Sequence, residues 1–213
     1  FVIHRWIDLM QLEDFLRFLF KMGLSRSQME RDMSYLRTEN SENKAILVPF
    51  TKEEMELLSL NQAKKTKKRG FNKLTKGIFN TIYYEALVSY AILEYYDDHK
   101  LILITTTKDE FIYMIKKGST HVYMNNIEAG VINDAGEFFS INRKLLAKID
   151  GADHLATHAV WIQGKNIGFI ANPKHAEKTL PRAYTLLKDM NQDEQNIFLC
   201  LTLINLVEES QWL

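Results

Sequence analysis

The sequence predicts an α+β protein: an N-terminal helical region, then an antiparallel β-barrel-like domain that encloses a C-terminal hydrophobic helix. Three observations predict it. Residues 197–207 are apolar all round a helix instead of along one stripe, the mark of a helix enclosed on every side. Residues 101–170 fall into short β-branched or aromatic segments separated by Asn, Asp and Gly, as in a meander that curls into a barrel or sandwich. The first 37 residues carry apolar side chains at spacings of three and four, the period of a helix face.

The elements follow in order. Val2, Ile3, Trp6, Leu9 and Met10, continued by Leu12, Phe15, Leu16, Leu19 and Phe20, predict a first helix, with Gly23 as a C-cap. Ser25 or Ser27 caps a second short helix through Met29, Met33 and Leu36. Residues 38–43 read as a polar turn, and residues 44–50 as a short strand with Pro49 at its end. Thr51 with Glu54 has the capping-box spacing and opens a helix through Met55, Leu57, Leu58 and Leu60. Residues 77–96 return to a helical pattern through Ile78, Ile82, Leu87, Ile92 and Leu93. The expected division is therefore a helical arm over 1–97, with a basic linker at 64–76, and a β-rich domain over 98–213.

Strands are expected at 101–107, 111–116, 121–124, 127–132, 137–141, 145–149, 157–162 and 166–170. Asn125-Asn126 and the Gln163-Gly-Lys165 connection supply tight turns between neighbours. Asn191, Asp193 and Glu194 introduce the terminal apolar run, which is too short for the roughly 20 residues of a membrane span.

Composition narrows function by exclusion. With 27 Lys plus Arg against 27 Asp plus Glu, no global field selects nucleic acid or membrane, so any such role rests on local clustering. The one cysteine, Cys200, falls in the apolar helix and reads as a small core residue, which favours a reducing compartment. No phosphate loop, dinucleotide fingerprint or nucleophile elbow occurs, and no cofactor is expected.

The sharpest local asymmetry is Lys64, Lys65, Lys67, Lys68 and Arg69, followed by Lys73 and Lys76 with no acid between. A phosphate-facing patch for acidic lipid or nucleic acid reads naturally from it, and so does a solvated linker. Tyr83, Tyr84 and Tyr90 offer large rigid contact area and are the candidate partner-binding face, against ordinary core packing with polar tips at the surface. His154 and His158, four apart, with Asp153 beside the first, share a helix face that zinc would fit, but a strand start at His158 would undo that geometry.

Three strings bring a family into view: His-Val-Tyr-Met-Asn-Asn-Ile-Glu-Ala-Gly-Val-Ile-Asn-Asp (121–134), Gly-Glu-Phe-Phe-Ser-Ile (136–141) and Trp-Ile-Gln-Gly-Lys-Asn-Ile-Gly-Phe-Ile (161–170). They resemble the strand–turn–strand grammar of the phospholipid scramblase, LURP-one and Tubby C-terminal group. The resemblance covers residues 99–210 and implies a barrel around a C-terminal helix, with phosphoinositide or protein binding. No palmitoylated cysteine cluster accompanies it, so lipid scrambling is not carried over.

The expected function is non-enzymatic: a scaffold that engages a protein partner or an acidic phospholipid surface, cytoplasmic and peripheral at a membrane. Nucleic-acid binding through the same basic run is the alternative, and a metal-dependent hydrolase built on Asp153, His154 and His158 is the third reading.

Overall fold

The computed structural model describes residues 26–69, 72–95, 99–116, 118–152, 155–175 and 182–209. The helix expected over residues 1–20 lies outside them. Among the described residues the chain order is α1 (Arg26–Ala45), α2 (Lys52–Leu57), β1 (Leu58–Arg69), β2 (Asn72–Thr81), β3 (Ala86–Glu94), β4 (Lys100–Thr105), β5 (Glu110–Lys116), β6 (Ser119–Met124), β7 (Ile127–Asn133), β8 (Glu137–Phe139), β9 (Leu145–Asp150), β10 (Thr157–Ile162), β11 (Lys165–Ala171), β12 (Tyr184–Leu186) and α3 (Gln192–Glu209). A short 3₁₀ turn at Pro173–His175 follows β11.

Each strand pairs antiparallel with its neighbours in sequence, in one 12-stranded sheet ordered β1 to β12. The sheet curls into a nearly closed barrel. Its ends meet where the Ala183 amide donates to the Leu58 carbonyl (2.7 Å) and Ser59 bridges to Arg182. Inside lies α3, with Phe198, Leu199, Leu201, Leu203, Leu206 and Val207 all 2% exposed or less. Fully burying side chains of this kind contributes about 1.5–3 kcal/mol each, so the enclosed helix is a main source of cohesion. Its start is a reciprocal capping box: Glu194 N–H donates to Asn191 Oδ1 (2.9 Å), and Asn191 N–H donates to Glu194 Oε2 (3.0 Å).

A second apolar layer lies outside the barrel. Met29, Met33 and Leu36 form one stripe of α1 and pack on Leu74, Leu93, Leu101, Leu103 and Ile112 of the wall. The stripe continues to Asn40, 2% exposed, whose Nδ2 donates to Ser89 Oγ (3.1 Å) and Thr105 Oγ1 (2.9 Å).

Several expectations are corrected here. Residues 77–94 hold the end of β2, a turn and all of β3. The strand β3 is covered on both faces, by α3 inside and α1 outside, so seven consecutive residues are buried. A strand with two buried faces loses its alternation and reads like a buried helix. Residues 64–69 and 72–76 are paired between β1 and β2 and are not a linker. Lysines on an outermost strand guard its exposed edge against pairing with other chains, which accounts for their density here. Consequently β3 pairs with β4 across the division expected near residue 97. Residues 38–43 belong to α1, where the hydroxyls of Thr38 and Ser41 donate to the carbonyls of Ser34 and Thr38 instead of making a turn. Residues 46–50 are irregular, touching the sheet through the Val48 amide and the Ala86 carbonyl (2.8 Å). The capping box at Thr51 is present, but α2 stops at Leu57 and the chain turns into β1.

Candidate functional site

The basic run divides between two faces of its hairpin. Cross-strand partners share a face, and the register pairs Lys65 with Lys76 and Lys67 with Leu74. Lys65, Lys67 and Lys76 therefore lie on the side of α1, while Lys64, Lys68 and Lys73 lie on the opposite side. Acids of the same molecule meet several of them. Lys67 Nζ donates to Glu39 Oε1 (2.7 Å), Lys76 Nζ lies 3.4 Å from Glu39 Oε2, and Lys73 Nζ lies 3.2 Å from Glu94 Oε2. Arg69 is the last residue of β1. The hairpin is thus an ion-paired edge more than a single cationic face.

Glu39 carries a pH signature. The hydrogen bond from Lys67, outweighing the opposing effect of burial and aided by Tyr35 and Lys76, holds its carboxyl below the usual range. A depressed carboxylate contributes stability that is full above the ordinary Glu range, near ~4.3, and is lost as pH falls through the lower folded-state value. The pair is partly solvated, so the contribution is a few tenths to about 1 kcal/mol. Glu39→Gln is expected to shallow the acid side of the stability profile, measured as urea midpoints from pH 6 down to pH 3. An unchanged profile would show that the ion pair does not couple the hairpin to α1.

Of the tyrosines, Tyr83 and Tyr84 stand 65% and 67% exposed in the β2–β3 turn, where Tyr84 takes a positive φ of 67°. Tyr90 points into the barrel, fully buried, with its hydroxyl donating to Gln62 Oε1 (2.7 Å). The three do not share a surface. Of the metal candidates, Asp153 and His154 lie outside the described residues. His158 is the second residue of β10, with Nε2 at 3.1 Å from Asn172 Nδ2, so the helical face imagined for it does not form. Among the described residues no group of three His, Cys, Asp or Glu is placed to hold a metal.

The topology assembles something the sequence reading missed. In a sheet whose strands alternate direction, the connections β2–β3, β4–β5, β6–β7, β8–β9 and β10–β11 all emerge at one end. The segment between α1 and α2 and the link from β12 to α3 emerge there too. Among the described residues the large apolar or tyrosyl side chains that stand exposed are Ile46, Tyr83, Tyr84, Ile127, Ile141, Leu145, Leu155 and Leu187. All except Leu155 belong to this end. Two stiff turns help to set the rim: Asn125 and Asn126 both have positive φ (52° and 67°), as do Gln163 and Gly164 (49° and 79°), the geometry of primed two-residue turns. The Asn125 amide group is tied back, with Oδ1 accepting from Glu110 N–H (2.8 Å) and Nδ2 donating to Asp109 (2.8 Å).

Exposed basic side chains stand between the apolar tips. Arg143 and Lys144 separate Ile141 from Leu145, Lys188 follows Leu187, and Lys165 closes the β10–β11 turn. Acids share this end: Glu85 stands exposed beside Tyr83 and Tyr84, Asp189 bonds to Lys52, and Asp193 and Glu194 occupy the first turn of α3, where the helix dipole favours them.

Within the rim opens an apolar pocket of about 300 Å³, lined by Met124, Ile127, Ala129, Phe138, Leu146, Ile197 and Cys200, with Asn125 and Asn196. Its walls are shaped by two β-bulges. Val122 pairs with Gly130 and Tyr123 with Glu128, which leaves Ala129 as the extra residue. Phe138 pairs with Ala147 and Phe139 with Leu145, which leaves Leu146 extra. Both bulged residues line the pocket. Burial pushes the Cys200 thiol up to about 12, so it is a protonated apolar group at neutral pH and not a nucleophile.

Fold and site together define an α+β protein: a nearly closed antiparallel barrel built around one helix, with an apolar, lysine-studded rim at the end where that helix begins. Comparison with known protein families, curated proteins and solved structures finds no match to this chain.

Proposed function

We propose that the protein is a non-enzymatic docking module that binds an acidic phospholipid surface through the rim. The observation that carries this reading is that, among the described residues, seven of the eight exposed large apolar or tyrosyl side chains stand at one end of the barrel, Leu155 being the exception. Single aliphatic residues on separate short connections, interleaved with Lys and Arg, suit a flat and deformable surface. Aliphatic tips enter the boundary of the bilayer, tyrosines favour headgroup depth, and long cationic side chains reach acidic headgroups. Protein hot spots instead favour Trp, Tyr and Arg gathered in one packed centre, with Leu under-represented. Among the described residues no helix is long and apolar enough to cross a membrane, so contact would be made by the rim. Kinship with the phospholipid scramblase, LURP-one and Tubby group is part of the proposal, since a barrel around a terminal helix is what that resemblance implies.

The Arg69–Asn72 pair that ends β1 and begins β2 lies at the opposite end of the barrel, which makes the two surfaces separable. Vesicle flotation with neutral and acidic lipid would compare the wild type, a rim variant (Ile127→Ser, Ile141→Ser, Leu187→Ser) and a hairpin variant with Lys64, Lys65, Lys67, Lys68 and Arg69 changed to Gln. Partly buried aliphatic tips contribute roughly 1 kcal/mol each on transfer. The rim variant is therefore expected to bind acidic vesicles about a hundredfold more weakly, with the hairpin variant close to wild type. The reverse order, with an oligonucleotide displacing the vesicles, would favour nucleic-acid binding by the hairpin. No binding by any of the three would discard the docking reading.

A further inference from the structure

Among the described residues, the pocket inside the rim is an apolar concavity that the docking reading leaves unused. We propose that it takes one aliphatic chain of a lipid, with the polar end of that lipid left outside, where the Asn196 Nδ2 amide can donate to it. This rests on the docking reading for its access to lipid, because the pocket opens within the surface that would face the bilayer.

Three features carry it. The lining is apolar apart from two amide side chains, Asn125 and Asn196, and includes the buried Cys200. A fixed amphiphile with one tail has the matching polarity. The size is also suited. About 300 Å³ is the lower end of small-molecule sites, and apolar cavities half that large take up small hydrocarbons. With about 30 Å³ for a water, and a methylene roughly as large, the space holds a chain of some eight to ten carbons. Finally, the hollow is a product of the fold. Bulges bend a strand and re-aim its side chains, and here two bulges on the same stretch of wall both deliver their extra residue, Ala129 and Leu146, to the lining. Helix α3 leaves its first apolar residue, Ile197, only partly covered at that point.

The test uses the full chain and decanoic acid as the probe, a ten-carbon chain matched to that volume, with binding read by titration calorimetry. Saturable one-to-one binding by the wild type is expected. It should weaken at least tenfold in Ala129→Trp and in Leu146→Trp, two different ways of filling the same space. Thermal melts identify which of these variants is folded, and vesicle flotation by that variant should be retained. Displacement of the probe by octanoate alone would assign the chain to free fatty acids, whereas displacement by decanoyl-lysophosphatidylcholine as well would admit phospholipid tails. No saturable binding by the wild type, or undiminished binding by a folded filled variant, would overturn the proposal. Retained probe binding without flotation of the wild type would instead remove the docking reading and leave the pocket standing.

Discussion

Leu203→Asp is expected to abolish the fold. Leu203 is 1% exposed and sits among the barrel-facing residues of α3, packed within the cluster that joins helix and wall. The substitution removes a buried leucine, costing about 2–5 kcal/mol as in large-to-small core replacements. It also places a carboxylate where no cation is positioned to meet it, which adds several kcal/mol or forces the acid to stay protonated. Against a total stability of roughly 5–15 kcal/mol, the sum exceeds or nearly exhausts what holds the domain together. Cys200, one turn earlier, reports the result. In the folded protein its thiol is 2% exposed and raised to about 12, so a thiol reagent at pH 8 should react only after denaturation. Leu203→Asp should react at once, with its thiol back near the ordinary value of about 8.5. A variant that keeps a cooperative urea transition and a protected thiol would show that the helix is not enclosed.

The second large effect is expected at Gly130. Its φ of 149° belongs to a region that side chains rarely adopt, and an added Cβ would lie 2.0 Å from the Phe139 carbonyl oxygen on β8. That neighbour is backbone and cannot swing aside, so β7 and β8 must separate. Strain in such a region costs about 1–3 kcal/mol before the collision is counted. Gly130→Ala is therefore expected to destabilise by about 3 kcal/mol or more. Gly164 is the matched control: its φ is also positive (79°), but an added Cβ meets nothing within 4 Å. Gly164→Ala should cost only the left-handed conformation, roughly 1–2 kcal/mol. Urea melts of the two variants isolate the steric part. Equal losses would mean that the two strands do not approach as closely as the structure places them.

Much of this architecture was written in local pattern. The strands from β4 to β11 announce themselves because each is short, rich in β-branched or aromatic residues, and ended by Asn, Asp or Gly. The terminal helix is legible because apolar residues on every side of it leave no surface for water. The misread strands share a physical cause. β3 is apolar on both faces because helices cover both, and β1 is lysine-rich because it borders the sheet; neither condition can be seen from the strand itself. The rim was hidden for a different reason. Ile127, Ile141 and Leu187 are far apart in sequence and ordinary one by one, and only the alternation of strand direction gathers them. One faint signal was present: Ile141 stands in a turn beside Asn142 and Arg143, and Leu187 beside Lys188, where a purely polar connection would be expected. The bulges that shape the pocket leave no comparable trace.

The position of α3 after all twelve strands has a consequence for how the chain comes to be folded. Hairpins between sequence neighbours close short loops and can form as each pair is synthesised. The wall they build, however, has no interior until the final helix leaves the ribosome. Until then its inner face, with Ile92, Ile102, Ile104, Phe111 and Val160, lacks the helix that covers it among the described residues. Synthesis thus carries the nascent protein through a long interval as an open apolar sheet, the kind of species that aggregates or recruits chaperones. Ribosomal pausing before residue 192 would lengthen that exposure, and stop codons there would make it permanent.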